Sequence, residues 1–236
     1  GEATFTDSPA ATVAGTQYHY VLVLEDGAGM HGANGCQIRW YRNGALQNTL
    51  DLAFRLSQMQ DVNNWIGRSQ YSGDSCSNLA LNELRIYRHA ITPGEVLASY
   101  QAGPDPNSGP PEPQAPAPIP VHRWSFTGAS APVAAGTVFA DSATGEAMTL
   151  RGNGASLASG SLVLPGTTNG NQSAANISAY LDLPNGIVST KPSISFEAWL
   201  TPLSSKNWQR IFEIGSTSMT SGGAAVAGVI MDGPGA

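Results

Sequence analysis

Hydrophobic and polar residues alternate with a period of two along much of the chain, which is the pattern of β-strands with one buried face. Cys36–Arg42 (CQIRWYR) places Cys36, Ile38 and Trp40 on one face, and Ser193–Thr201 (SISFEAWLT) alternates in the same way. Further strand-like segments are Gln17–Leu24, Ala45–Leu50, Trp65–Arg68, Leu79–Tyr87, Val121–Phe126, Ser161–Leu164, Ala179–Leu183, Gln209–Gly215 and Ala225–Asp232. Many short strands at regular spacing predict an all-β sandwich or jelly roll.

Two local signals refine this prediction. Asn43-Gly44 lies directly between two strand-like segments, and this dipeptide accepts the positive φ angles of a tight hairpin. Thr92-Pro93-Gly94-Glu95 has the form of a capping box with proline in the first turn, so it predicts one short helix that ends near Tyr100.

A proline-rich stretch, Gly103–Pro120 (GPDPNSGPPEPQAPAPIP), divides the chain into residues 1–102 and 121–236. Proline lacks the backbone donor that a helix or an inner strand requires. The stretch therefore predicts an extended, semi-rigid linker, which reaches roughly 50 Å at about 3.1 Å per residue.

Composition narrows the class of protein. Of the 236 residues, 41% are hydrophobic and only 12% are charged, about half the usual 25%. The net charge is -6 and no lysine or arginine cluster is present, which argues against nucleic-acid binding. A helix needs roughly 18–20 apolar residues to span a bilayer, and no apolar run in the sequence approaches that length. We expect no insertion into a membrane.

The chain has two cysteines, Cys36 and Cys76, without the spacing of a zinc site. In an exported protein they predict a disulfide; two buried thiols are the alternative.

Several motifs together resemble a known family. The stretch HRWSF…DSATG…LVLPG…AYLDLPNG…SISFEAWLTP…QRIFEIG resembles the N-terminal half of a laminin-G-like, concanavalin A-like jelly roll of bacterial type. The stretch YHYVLVLEDG…IRWYRNGAL…NWIGRSQYSGDS…LNELRIYRHAITPGEV resembles its C-terminal half. The resemblance covers nearly everything outside the linker, and the two halves stand in reversed order. It implies a secreted or cell-surface module.

Three arrangements would complete such a sandwich. In the first, the chain is a segment of a longer array of tandem repeats, and each half is completed by sequence outside it. In the second, the halves pair within one chain, as in a circular permutation. In the third, they pair between neighbouring chains. Half a sandwich exposes strand edges and an apolar face, so isolated halves are not expected to be stable. The length and stiffness of the linker favour pairing between neighbouring subunits, and such a head-to-tail contact propagates into a filament.

The resemblance also implies a calcium site. Members of the family often hold calcium between an Asp-Ser-x-x-Gly turn and acidic residues of the last strand. Here the turn begins at Asp141, and the strand carries Asn82 and Glu83, with Asn82 at a position where many relatives have aspartate. The alternative is an Asx-turn in which Asp141 caps its own backbone.

Catalytic signatures are absent from the sequence. A glycosidase needs two carboxylates close together, whereas Glu197, Glu83 and Glu213 lack acidic neighbours two residues away. The tryptophans at strand positions are expected in the core, and Trp208 is the best candidate for stacking on a sugar. We therefore expect a non-catalytic adhesion or assembly module, with a carbohydrate-binding module of a larger protein as the alternative.

Overall fold

The computed structural model describes residues 2–6, 13–70, 74–104, 118–167, 177–204, 209–216 and 228–232. Within these residues the chain forms β-strands and one α-helix, α1 (Pro93–Ala102). The strands are β1 (Glu2–Thr6), β2 (Tyr18–Asp26), β3 (Cys36–Arg42), β4 (Ala45–Leu52), β5 (Asn63–Ile66), β6 (Asn78–Tyr87), β7 (His122–Ser125), β8 (Ala131–Pro132), β9 (Val138–Ala140), β10 (Ala147–Arg151), β11 (Ser156–Ala158), β12 (Ser161–Pro165), β13 (Tyr180–Leu183), β14 (Ser193–Pro202), β15 (Arg210–Gly215) and β16 (Gly228–Asp232).

The strands form two sheets. The first sheet has nine strands in the order β4-β3-β2-β14-β6-β12-β11-β8, with β7 paired to β6 as well. The second has seven strands in the order β1-β16-β15-β5-β13-β10-β9. Neighbours are antiparallel except β1 and β16. This two-sheet arrangement confirms the predicted all-β, concanavalin A-like jelly-roll sandwich.

Local predictions are confirmed at several positions. Asn43 and Gly44 both have positive φ, 50° and 79°, and join β3 to β4 as a tight hairpin. The Thr92 hydroxyl accepts a hydrogen bond from the Glu95 amide at the start of α1, and the Glu95 carboxylate accepts one from the Thr92 amide. The alternation in β14 places Ile194, Phe196, Ala198 and Leu200 in the core between the sheets.

The two segments on either side of the linker share both sheets. In the first sheet β14 lies between β2 and β6, and in the second β5 lies between β15 and β13. Neither segment therefore supplies a complete sheet. The core is shared in the same way, because Leu22 and Ile86 of the first segment and Phe196 and Phe212 of the second belong to one buried cluster.

Closure takes place within one chain in this structure, whereas the sequence favoured closure between neighbouring subunits. The reason is that the two ends of the linker lie close together. Arg85 donates to the carbonyl of Pro104 at 2.6 Å, and the amide of Val121 donates to the carbonyl of Ile86 at 2.7 Å. Both ends of the linker therefore lie beside β6, and its full reach is not needed. Pairing between subunits would use the same strand edges and stays a prediction.

The two cysteines are free and buried, so the predicted Cys36–Cys76 disulfide is not formed in the structure. Cys36 faces the core between the sheets together with Ile38. Cys76 packs against Trp65 and Tyr180 in a separate cluster on the opposite side of the second sheet. Because the second sheet lies between the two thiols, they do not meet. Burial and the nearby Asp26 raise the pKa of the Cys36 thiol to about 12.

Candidate functional site

A layer of buried charges joins the two segments on the outer face of the first sheet. We call it the ionic layer. Its members lie on the neighbouring strands β2, β14, β6 and β7, and they are His19, Glu197, Arg85, Glu83 and Arg123. The Glu197 carboxylate accepts hydrogen bonds from Arg85 at 3.3 Å and lies 2.9 Å from His19 Nε2. Glu83 accepts from Arg85 and, through both oxygens, from Arg123 at 2.9 and 2.8 Å. Glu197 of the second segment therefore contacts groups of the first, and Glu83 of the first segment contacts Arg123 of the second.

Helix α1 closes this layer from above. The Ser99 hydroxyl donates to Glu197, and the Tyr100 ring stacks on the rings of His19 and Trp199 at 5.8 and 5.9 Å. Glu83 and Glu197 are fully buried. These two carboxylates, which share Arg85 as a neighbour, are therefore not exposed to solvent in the structure.

The electrostatics of the ionic layer favour ionised groups. Burial acts to raise the pKa of Glu197, but the contacts with His19 and Arg85 outweigh it and hold the pKa near 2. Burial acts to lower the pKa of Arg85, and the charges of Glu197 and Glu83 outweigh it and raise the pKa. Removing either partner would leave an uncompensated buried charge, at a cost of about 3–5 kcal/mol. The ionic layer thus links the two segments through charged hydrogen bonds.

A second cluster lies on the outer face of the seven-stranded sheet, and we call it the Arg68 cluster. The Arg68 guanidinium lies 4.4 Å from the ring centroids of both Trp65 and Tyr180. Trp65 donates from its indole nitrogen to Asp182 at 3.2 Å, and Arg151 donates to the other oxygen of Asp182 at 3.0 Å. Within the described part of the chain, Nε of Arg68 has no hydrogen-bond partner. The three side chains are largely buried, and the guanidinium lies over the faces of both rings, so the cluster is mainly a cation–π contact within the protein.

Next to the Arg68 cluster, one arginine serves two carboxylates. Arg210 donates to Glu213 at 3.1 Å and to Asp74 at 2.5 Å. Glu213 also accepts from the amide of Gln70 at 3.0 Å and is fully buried. Arg210 divides its contacts between two carboxylates, and burial raises the pKa of Glu213 to about 7 despite the contact with Arg210. No motif in the sequence indicates this pairing, because Asp74 and Glu213 lie far apart along the chain.

The residues predicted to hold calcium do not form a calcium site. Asp141 accepts from the amides of Arg123 and Ala143 at 2.8 and 2.7 Å and from Thr144, so it caps its own turn. Asn82 donates its side-chain amide to the carbonyl of Gly160 at 3.0 Å. Among the described residues no group of three or more potential ligands from His, Cys, Asp and Glu meets at one point.

The reason for this misfit is that a cation already lies there. Arg123 binds Asp141 through its backbone amide and Glu83 through its guanidinium, so it links the two residues that calcium was expected to link. Burial acts to raise the pKa of Asp141, but hydrogen bonds from Thr144 and from the Arg123 amide outweigh it and lower the pKa to about 2. A divalent ion would have to displace these donors and approach a guanidinium. The oxygens are therefore unsuited to calcium as they stand.

The tryptophan prediction is confirmed for the residues that the structure describes. Trp40, Trp65, Trp124 and Trp199 are all buried. Trp208, the candidate for sugar stacking, lies outside the described residues.

In the described part of the chain, no helix has the length and apolar character needed to cross a membrane.

Comparison with known proteins gives one match. A laminin G family model, described as the concanavalin A-like lectin/glucanases superfamily, matches residues 1–97. Neither a curated protein nor a solved structure matches the chain. The match ends within helix α1, and strands β7 to β16 complete the two sheets that residues 1–97 begin. Residues 1–97 are thus similar to part of a concanavalin A-like lectin/glucanase domain, and the two sheets together have the jelly-roll sandwich arrangement of such a domain.

Proposed function

We propose that this protein is a non-catalytic, extracellular adhesion or assembly module whose two segments, residues 1–102 and 121–236, complement each other. The observation that carries the proposal is the position of β14, which pairs along its length with two strands of the other segment, β2 and β6. Without β14 the first segment has a gap in the middle of its sheet. Without β2 and β6 the second segment has an exposed, apolar ten-residue strand.

The ionic layer supports the same proposal, because its charges are compensated only when the segments meet. In an isolated first segment, Arg85 and His19 lose Glu197; in an isolated second segment, Glu197 loses all its charged partners. Buried strand edges and unpaired buried charges both oppose folding of a segment alone. A segment completed by its counterpart, in the same chain or in a neighbouring one, avoids both costs.

Complementation is tested by producing residues 1–102 and 121–236 separately. We expect each to be largely unfolded by circular dichroism and the mixture to form a stable one-to-one complex. A Glu197→Lys variant of the second segment should prevent the complex, while Lys191→Glu, also a charge reversal but outside the interface strand, should permit it. Two segments that fold independently and ignore each other would refute the proposal.

The choice between closure within a chain and closure between chains requires the intact protein. Light scattering after size-exclusion chromatography reports a monomer in the first case and concentration-dependent oligomers in the second. Shortening the linker inside 105–117 to a length that cannot cross to a neighbour should leave a monomer unchanged and would abolish a filament.

A second function, carbohydrate binding, is favoured by the Arg68 cluster. Aromatic rings and fixed charges are the groups that bind sugar rings and their hydroxyls; this cluster brings them together, and a sugar would have to reach residues that are 7 to 8% exposed. A glycan array with the intact protein tests it directly. Loss of a glycan signal in Arg68→Met, with the signal kept in Arg55→Met, would assign the binding to this cluster; an array without any signal would remove the lectin function.

A further inference from the structure

A groove opens where the two segments meet at one end of the sandwich, away from the Arg68 cluster. Its volume is about 270 Å³, close to the lower limit of about 300 Å³ for ligand pockets. The end of β6 and the start of β7 form one wall, and the loop between β13 and β14 forms the other. Its floor includes the buried side chains of Ile86, Ile187 and Ile194.

Two cations line the groove without an acidic partner. Arg88 is exposed and has no hydrogen bond or ion pair with the described residues. Among the described residues, the hydrogen-bond partner of the Lys191 ammonium group is the hydroxyl of Thr190, at 2.9 Å. By contrast, the following arginines each pair with a carboxylate: Arg39, Arg55, Arg85, Arg123, Arg151 and Arg210. In a chain with a net charge of -6, two cations without a carboxylate partner at one groove favour a negatively charged ligand.

The acidic groups of the groove do not cancel this charge. Glu146 is the acidic residue among its lining side chains, and its carboxylate lies 3.7 Å from Nε2 of His122. The other ring nitrogen of His122 lies 2.8 Å from Asp141. Arg88 and Lys191 therefore remain in excess, with Asn185 and Thr190 beside them as neutral hydrogen-bonding groups.

We propose that this groove binds a small acidic sugar, a hexuronate, with its carboxylate between Arg88 and Lys191. The isoleucine floor accepts the C–H face of the ring, and Asn185 and Thr190 bind hydroxyls. The choice of a sugar rests on the lectin-like function proposed above, whereas the choice of a carboxylate rests on the two unpaired cations. Because Arg88 belongs to the first segment and Lys191 to the second, the ligand would bridge both segments.

The experiment is a chemical-shift titration of the intact ¹⁵N-labelled protein with glucuronate, and in parallel with glucose and with acetate. We expect glucuronate to shift the resonances of Asn185, Gly186 and Thr190, with binding weaker at high salt. Glucose and acetate should each bind at least about tenfold more weakly, since glucose lacks the carboxylate and acetate lacks the ring and its hydroxyls.

Variants locate the site. Arg88→Gln and Lys191→Gln should each weaken glucuronate binding by at least about tenfold. Arg55→Gln removes the same charge outside the groove and should leave binding unchanged. The melting temperatures of the unliganded variants establish that all three are folded.

The outcomes separate this inference from the lectin function. Glucuronate binding that both groove variants retain, or no glucuronate binding at all, overturns the inference. Acetate binding as tight as glucuronate binding overturns the choice of a sugar. If neutral glycans bind on the array while glucuronate does not, the lectin function stands and the groove assignment falls.

Discussion

Glu213 should make the stability of this protein fall as pH rises through the neutral range. The carboxyl group is fully buried and shares Arg210 with Asp74, and burial raises its pKa from 4.5 to about 7. In the unfolded chain the group regains its ordinary pKa. The substitution Glu213→Gln removes the titration while it keeps the shape of the side chain and an acceptor for the Gln70 amide.

The sign and size of the effect follow from linkage. A carboxyl group with a raised pKa in the folded state stabilises the fold fully below pH 4.5, progressively less between pH 4.5 and 7, and not at all above pH 7. The pKa difference corresponds to about 3 kcal/mol at 1.36 kcal/mol per unit. The wild type should therefore lose about 3 kcal/mol over this interval relative to Glu213→Gln.

Urea unfolding at a series of pH values from 4.5 to 8 measures the free energy of unfolding for both proteins. The free energy of unfolding of the wild type minus that of Glu213→Gln should fall by about 3 kcal/mol as the pH rises over this interval. Glu25→Gln, a partly exposed carboxylate paired with Arg39, serves as the control and should parallel the wild type. A Glu213→Gln profile that also parallels the wild type would show that Glu213 is ionised throughout and that the reasoning about the shared arginine is wrong.

Four further outcomes are expected. Thr92→Ala should lower the free energy of unfolding by about 1 kcal/mol, since it removes the N-terminal cap of α1, as chemical denaturation would measure. Asp141→Asn should lower the free energy of unfolding above pH 3.8 and have no effect below about pH 2. The reason is that the lowered pKa of Asp141 stabilises the fold only while the group is ionised in the folded state. Acid titration of both proteins, followed by fluorescence, tests this. Labelling of the denatured, unreduced protein should find two reactive thiols, Cys36 and Cys76, and a count of zero would restore the disulfide. Chelation should leave the melting temperature unchanged, because Arg123 already links Asp141 to Glu83; a lower melting temperature together with calcium in elemental analysis would show that the ion binds there.

Local chemistry was sufficient to predict most of the elements. The alternation in β3 and β14 fixes which side chains face the core, and the Asn43-Gly44 hairpin and the Thr92 cap depend on backbone conformations that a few neighbouring residues determine. The short strands β8 to β11 escaped prediction, because two to five residues with mixed polarity carry little periodic signal.

The charged sites could not be predicted, because each depends on strand register between distant parts of the chain. Glu197 meets Arg85, and Glu213 lies opposite Trp65 and shares Arg210 with Asp74, across more than a hundred residues of sequence. A shift of one residue in either pairing would turn these side chains to the other face of the sheet. The sequence shows only isolated glutamates at these positions.

The sequence by itself thus determined the strands, the single helix, the proline-rich division and the class of sandwich, since periodicity and turn residues act over short distances. Only the tertiary structure shows that both ends of the linker lie beside β6, that Arg123 links Asp141 to Glu83, and that Cys36 lies in the core between the sheets while Cys76 lies in a separate cluster. These features follow from which strands become neighbours. Burial of the shared core selects those neighbours, and no short stretch of sequence contains that information.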